Sequence, residues 1–79
     1  MNVEQMLFGI IGTQLGIGTD EINHKSNFMN DLGADSLDTV EIIISIEEEF
    51  SIEIPDHEVE KMATVGSVLN YLTANLSNG

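Results

Sequence analysis

Ser36 stands between two aspartates in the stretch LGADSLDTVEIIISIEEEF, residues 32–50. A serine hydroxyl acts as a nucleophile when a neighbouring base takes its proton. The chain has no cysteine, and its two histidines, His24 and His57, belong to no recognisable triad motif. Flanking carboxylates raise the cost of forming an alkoxide, so Ser36 needs an outside catalyst to react.

The acidic residues around Ser36 do not form a calcium-binding loop. An EF-hand loop begun at Asp31 requires glycine at its sixth position and glutamate at its twelfth. Those positions hold Ser36 and Ile42. The sequence therefore predicts no metal site in this stretch.

Charge is the strongest compositional signal. Fourteen carboxylates are opposed by two lysines, and the formal net charge is −12. Such a surface repels nucleic acid and anionic lipid, and it complements basic protein surfaces. A solvated acidic surface that aids solubility is equally compatible with the charge alone.

The location of the protein is predicted from what the sequence lacks. No apolar run is long enough for membrane insertion, and the N-terminus lacks the basic flank of a signal peptide. We expect a monomer in the cytoplasm, or in an organelle lumen if a presequence has been removed.

The 79 residues suit one domain, residues 1–79, with one core. Asn2 is predicted to cap a first helix, which Gly16 ends. Residues 16–35 are rich in turn formers and predict a long loop. Four apolar residues are expected to hold that loop on the core: Ile22, Phe28, Met29 and Leu32.

The stretch 36–50 combines a strand-favouring isoleucine run with the 3.6-residue period of a helix, and the period decides for a helix. Asp35 or Ser36 can cap it. An extended segment, 50–54, is expected next. A short helix is expected next, begun by Asp56 and continuing through Val59 and Met62, and Thr64 is expected to cap a last helix. The predicted fold class is therefore all-α: a small four-helix bundle with three longer helices, one short helix and a long loop between the first two.

The middle helix has two apolar faces on a helical wheel. The predicted core face spans about 100° and consists of Thr39, Ile42, Ile43, Ile46 and Phe50. A second cluster consists of Leu37, Val40 and Ile44, with Asp38, Glu41, Glu47 and Glu48 around it. Packing on two sides would explain this second cluster, and so would a recognition surface for basic partners.

The motif LGADSLDTVE, followed by EEEF and IEIPD, resembles acyl carrier proteins of the dissociated, type II fatty-acid synthase. The similarity extends from QLGI to the last helix. DSL alone is a weak signal, but the whole series is highly specific. The fold of that family, a four-helix bundle with a long first loop, agrees with the helices predicted above.

The resemblance implies a carrier protein rather than an enzyme. Ser36 would carry 4′-phosphopantetheine, which holo-acyl-carrier-protein synthase transfers from coenzyme A with magnesium, and Asp35 would assist that enzyme's metal. Growing acyl chains would be carried as thioesters and folded between the helices. Fatty-acid synthase enzymes with basic docking patches would bind Leu37, Asp38, Val40, Glu41, Ile44, Glu47 and Glu48.

The first helix departs from the family pattern, because MLFGIIG stands where charged or polar outward positions are usual. Phe8 is expected to be partly exposed. Gly9 and Gly12 each cost about 1 kcal/mol relative to alanine inside a helix, and the sequence offers no reason for either.

Two other interpretations stay open. A carrier from a polyketide, peptidyl or D-alanyl pathway would use the same serine, although Leu37 and Asp38 favour the fatty-acid type. An unmodified acidic interaction domain would use Ser36 only as a helix cap.

Overall fold

The computed structural model describes residues 2–76, and this part of the chain is all-α. Its helices are α1 (Val3–Leu15), α2 (Ser36–Phe50), α3 (Asp56–Val59) and α4 (Val65–Leu76). Three are long and one is short, as predicted, and the arrangement is consistent with a small helical bundle. A 3₁₀ helix, Thr19–Glu21, lies between α1 and α2, where the sequence pattern predicts only loop.

The predicted start and end of α1 and the predicted start of α4 are confirmed. The Asn2 side chain accepts a hydrogen bond from the Gln5 N–H at 3.0 Å, which satisfies one free donor of the first turn of α1. Gly16 ends α1 with a φ of 69°, a left-handed conformation that glycine adopts without a Cβ penalty. At α4 the Thr64 hydroxyl accepts from the Ser67 N–H at 3.3 Å.

Helix α2 forms despite its strand-favouring isoleucines because burial follows the helical period. Ile42, Ile46 and Phe50 are buried on the predicted core face. The helix ends at Ser51, which has a φ of 54°, and the Ser51 N–H donates to the Glu47 carbonyl. The Glu47 carboxylate also accepts from the Ile54 N–H at 2.8 Å, so this side chain holds the chain that leaves α2.

One hydrophobic cluster joins α1, α2, α4 and the segments between them. Burying such side chains supplies about 1.5–3 kcal/mol each and is the main source of stability. Helix α3 contributes no fully buried residue, and its Val59 packs against the cluster from outside. The buried members are Leu7, Ile11, Ile22, Phe28, Ala34, Ile42, Ile46, Phe50, Ile54, Val65, Val68 and Leu72.

Two details of the chain after α2 differ from the prediction. Phe50 is the last residue of α2 and not the start of an extended segment. The short helix α3 has Pro55 as its N-cap residue, so Asp56 is helical, and it ends at Val59. Met62 lies beyond it, where its N–H donates to the Val59 carbonyl in a tighter i→i−3 turn.

The prediction for Met29 is wrong. Ile22 and Phe28 are buried and Leu32 is partly buried, as expected, but the Met29 side chain is 54% exposed. The Asn27 side-chain oxygen accepts from the Met29 and Asn30 N–H groups at 3.0 and 2.9 Å. Because this turn sets the backbone direction at residue 29, the Met29 side chain lies at the surface and not in the core.

The connection between α1 and α2 is held against the start of α4 by backbone hydrogen bonds. The Gly66 N–H donates to the His24 carbonyl at 2.8 Å, and the Val65 N–H donates to the Ser26 carbonyl at 3.0 Å. Asn27 and Thr64 form an isolated antiparallel bridge beside them. A Cβ on Gly66 would lie 2.7 Å from the His24 carbonyl oxygen, so glycine permits this close approach.

Gly66→Ala is therefore expected to destabilise the protein by roughly 1–3 kcal/mol, because backbone atoms must shift to admit the methyl group. Gly9→Ala is the matched control, since a Cβ at Gly9 meets nothing within 4 Å. That control should stabilise helix α1 by up to about 1 kcal/mol. Urea unfolding of both variants measures the difference, and equal stabilisation by the two would show that the Gly66 contact is not tight.

Candidate functional site

Ser36 is the first residue of α2, and Asp35 before it is the N-cap. The Asp35 carboxylate accepts from the Asp38 N–H at 2.9 Å, and the Asp38 carboxylate accepts from the Asp35 N–H at 3.2 Å. This reciprocal capping box satisfies two free backbone donors at the helix start. Both aspartates beside Ser36 thus fix the backbone that presents it.

The Ser36 hydroxyl has no hydrogen-bond partner in the part of the chain that the structure describes. Its side chain is exposed, and no hydrogen bond within residues 2–76 involves its Oγ. Since Asp35 caps the helix, the interpretation of Ser36 as a plain cap is wrong. The hydroxyl is free to react with an external reagent.

No histidine is placed to activate that hydroxyl. His24 Nε2 lies 2.7 Å from Glu4 Oε1, and His57 Nε2 lies 3.8 Å from Glu58 Oε2. Both histidines are exposed and engaged with carboxylates on other elements than α2. Neither histidine is therefore in a position to act as a general base for Ser36.

The start of α2 suits a phosphodiester on Ser36 Oγ. The backbone N–H groups of Ser36 and Leu37 have no hydrogen-bond acceptor among residues 2–76, and the positive end of the helix dipole lies here. The exposed hydroxyl leaves room for a long substituent. The carboxylates of Asp35 and Asp38 oppose a second anion, so a cation beside them would assist its arrival.

The second apolar cluster of α2 is exposed. The exposed fractions are 68% for Leu37, 53% for Val40 and 46% for Ile44. We call these three residues the apolar strip. Packing on both sides of α2 is therefore not the explanation of this face, since no described element covers it.

The acidic residues around the apolar strip differ in their surroundings. Glu41 and Glu48 are exposed, and their carboxylates make no hydrogen bond or ion pair within residues 2–76. Asp38 belongs to the capping box and also accepts from Gln14 Nε2 at 3.4 Å. Glu47 is half-buried and holds Ile54. Glu41 and Glu48 are thus the carboxylates most available to a partner.

A pocket of about 360 Å³ opens beside α2, and sequence reasoning did not locate it. Ile42 and Val68, both almost fully buried, form part of its inner wall. Thr39 links it to Ser36, because the Thr39 hydroxyl donates to the Ser36 carbonyl at 2.8 Å. Its lining consists of Asn27, Phe28, Met29, Asn30, Thr39, Ile42, Ile43, Val59, Glu60, Met62, Ala63 and Val68.

The sequence places two of the lining residues on the core face of α2 but does not indicate a cavity beside them. The helical period predicts that Thr39 and Ile43 belong to the core face of α2, and in the structure both are only partly buried and line the pocket. Met29 and Met62 come from segments without regular structure, so no periodicity places them here.

Two kinds of feature are absent from the residues that the structure describes. No group of three or more histidine, cysteine, aspartate or glutamate side chains within residues 2–76 is arranged to hold a metal ion. Over the same residues no helix is both long and apolar enough to cross a membrane.

Comparison with known families identifies a matching family model. A family model described as "Phosphopantetheine attachment site" matches residues 6–72, which is most of the chain. The matched range begins in α1, includes Ser36 and α2, and ends in α4.

Proposed function

This chain belongs to the phosphopantetheine attachment site family, and we propose that it carries growing fatty acyl chains as thioesters on an arm attached to Ser36. The family is a carrier domain and not a catalytic one, and its prosthetic group is covalent 4′-phosphopantetheine. Our proposal beyond the family concerns the attachment residue, the fatty-acid pathway and the partner enzymes.

One observation carries the assignment to Ser36. Its hydroxyl is exposed and has no hydrogen-bond partner among residues 2–76, at the start of a helix capped by its neighbours. A hydroxyl with no structural duty, no nearby base and two free backbone amides beside it fits a residue that another enzyme modifies. The arm supplies the thiol that this cysteine-free chain lacks.

Asp35 is proposed to assist the metal of the phosphopantetheinyl transferase. Its carboxylate uses one oxygen to accept from the Asp38 N–H, so the other oxygen is available to a cation. A magnesium ion brought by the transferase would offset the repulsion between this carboxylate and the incoming phosphate.

Partner enzymes are proposed to dock on the exposed face of α2. The apolar strip supplies contact area, and Glu41 and Glu48 attract basic residues of the partner. Asp38 belongs to the same face, with Glu47 at its edge. Their hydrogen bonds to Gln14 and to the Ile54 N–H make them less free to reorient toward a partner.

The pocket beside α2 is the proposed site for the acyl chain. Its apolar inner wall would shield methylene groups from water at about 0.8 kcal/mol each. Thr39 lies one turn after Ser36 and lines the pocket, so a chain on the arm could enter at this end. Sequestering the chain would protect the thioester between enzymes.

Loading experiments separate the fatty-acid pathway from other carrier pathways. The apo-protein is first converted with coenzyme A, magnesium and a phosphopantetheinyl transferase, and the arm is verified by intact mass. The product is then offered malonyl, D-alanyl and aminoacyl groups by the corresponding loading enzymes. We expect efficient malonyl loading and elongation by a type II ketoacyl synthase. Loading with D-alanine or an amino acid in preference to malonate would contradict the pathway while leaving the carrier role intact.

A further inference from the structure

A second depression lies on the other side of α2, between α1 and α2. It is an open groove with a volume of about 620 Å³. Helix α1 contributes Met6, Gly9 and Ile10 to its lining, and α2 contributes Glu48 and Glu49. We call it the α1/α2 groove. Thr13, Gln14 and Ser45 complete the lining, so its apolar residues come from α1 and its two carboxylates come from α2.

Gly9 has no internal reason to be glycine. It lies within α1, where glycine is less favourable than alanine, and its φ is not positive. A methyl group there would meet nothing within 4 Å. The contrast is Gly12, where a Cβ would lie 2.8 Å from the Ile17 carbonyl oxygen. What Gly9 does provide is open space in the groove, which a side chain would occupy.

The charge of the groove indicates what fills that space. Neither the Glu48 nor the Glu49 carboxylate has a hydrogen-bond or ion-pair partner within residues 2–76. The chain has two lysines, and neither pairs with these carboxylates: Lys61 lies 3.9 Å from Glu58 Oε2, and no ion pair within residues 2–76 includes Lys25. A cation that pairs with Glu48 or Glu49 would therefore come from another molecule. At a net charge of −12, nucleic acid and anionic lipid are repelled.

We infer that the α1/α2 groove receives a lysine or arginine side chain of a partner enzyme docked on α2. Such a side chain has an apolar stem and a charged head. The stem packs over Gly9 against Met6 and Ile10, and the head reaches Glu48 or Glu49. Glu48 belongs to the docking face as well, so one partner can contact both sides of α2. This inference rests on the proposed carrier function, and it adds α1 to the surface that partners contact.

The absence of cysteine allows the groove to be closed chemically. Gly9→Cys is prepared as apo-protein and treated with N-ethylmaleimide before any arm is attached, so the reagent meets one thiol. Asn70→Cys, on an exposed position of α4, is the matched control. Each protein, with and without maleimide, is assayed with a phosphopantetheinyl transferase and, after conversion, for binding to a type II ketoacyl synthase. Circular dichroism and thermal melting verify the fold.

We expect the maleimide on Gly9→Cys to weaken recognition by at least one of these enzymes roughly tenfold, as KM or as Kd. The control should be unchanged. Glu49→Gln should lower the association rate more than Glu53→Gln, which removes the same charge from an exposed position outside the groove. Unaltered recognition by both enzymes after closure would overturn the inference, even with Ser36 fully modified. Failure of the unaltered chain to accept an arm would instead overturn the proposed function.

Discussion

Ser36→Ala is expected to abolish attachment of 4′-phosphopantetheine. Within residues 2–76, Ser36 is the only exposed hydroxyl-bearing residue in the first turn of an α-helix. Because the Ser36 Oγ makes no hydrogen bond within residues 2–76, its loss should change stability by less than about 0.5 kcal/mol. The expected result is a folded protein that a transferase no longer modifies, seen by intact mass and circular dichroism.

Thr73→Ala is the matched control for this substitution. It also removes a hydroxyl from an exposed helical residue, in α4, where that hydroxyl donates to the Leu69 carbonyl. If Thr73→Ala is fully modified and Ser36→Ala is not modified at all, the result identifies Ser36 as the attachment residue. Modification of Ser36→Ala at an undiminished rate would eliminate Ser36 as the attachment residue.

The second large effect is expected from Glu41→Lys combined with Glu48→Lys. Each substitution adds two charge units, so the formal net charge changes from −12 to −8. An exposed carboxylate contributes up to about 1 kcal/mol to a contact, and reversal adds repulsion to that loss. We expect binding to a type II ketoacyl synthase to weaken by about 2 kcal/mol or more, roughly 30-fold.

The loss should occur mainly in the association rate and should shrink as salt is added, because charge steering is screened. Asp20→Lys with Glu53→Lys is the control, since both residues are exposed and the net charge changes equally. Near-native helicity is expected for both double variants. If the control weakens binding as much as the test pair, net charge and not the α2 face governs recognition.

Much of the fold follows from local rules that the sequence displays. Asn2, Gly16 and Thr64 end or begin helices as their types predict, since each acts within a few residues of itself. The helical period of α2 correctly overrides the strand preference of its isoleucines. The family motif predicts a role for Ser36, whereas the periodicity alone predicts only that a helix begins there.

The features that the sequence does not predict depend on contacts between distant residues or on rare conformations. Ser51 follows the last residue of α2 in a left-handed conformation that serine seldom adopts, so no local sequence pattern predicts that the helix ends there. Gly12 is explained only by the Ile17 carbonyl that turns back toward α1. Met29 is apolar yet exposed, because the Asn27 turn decides its direction.

The features of the candidate site also divide into those set by local sequence and those set by contacts between distant residues. Exposure of the apolar strip agrees with the wheel of α2, because a helix face is a local property. The hydrogen bond from the Ile54 N–H to Glu47 joins residues seven apart across an irregular turn. The pocket walls come from α2, α4 and the segments 27–30 and 59–63, so only the assembled fold defines them.

The most direct test of the central claim locates the arm at a single atom. Trypsin cleaves this chain at Lys25 and Lys61 and releases residues 26–61, which contain Ser26, Ser36, Ser45 and Ser51. After reaction with coenzyme A and a transferase, fragment-ion mass spectrometry of that peptide distinguishes the four serines. We predict one phosphopantetheine per chain, carried by Ser36 alone. An arm on any other residue, or an unmodified peptide 26–61 in a chain that has gained the mass, would contradict the account.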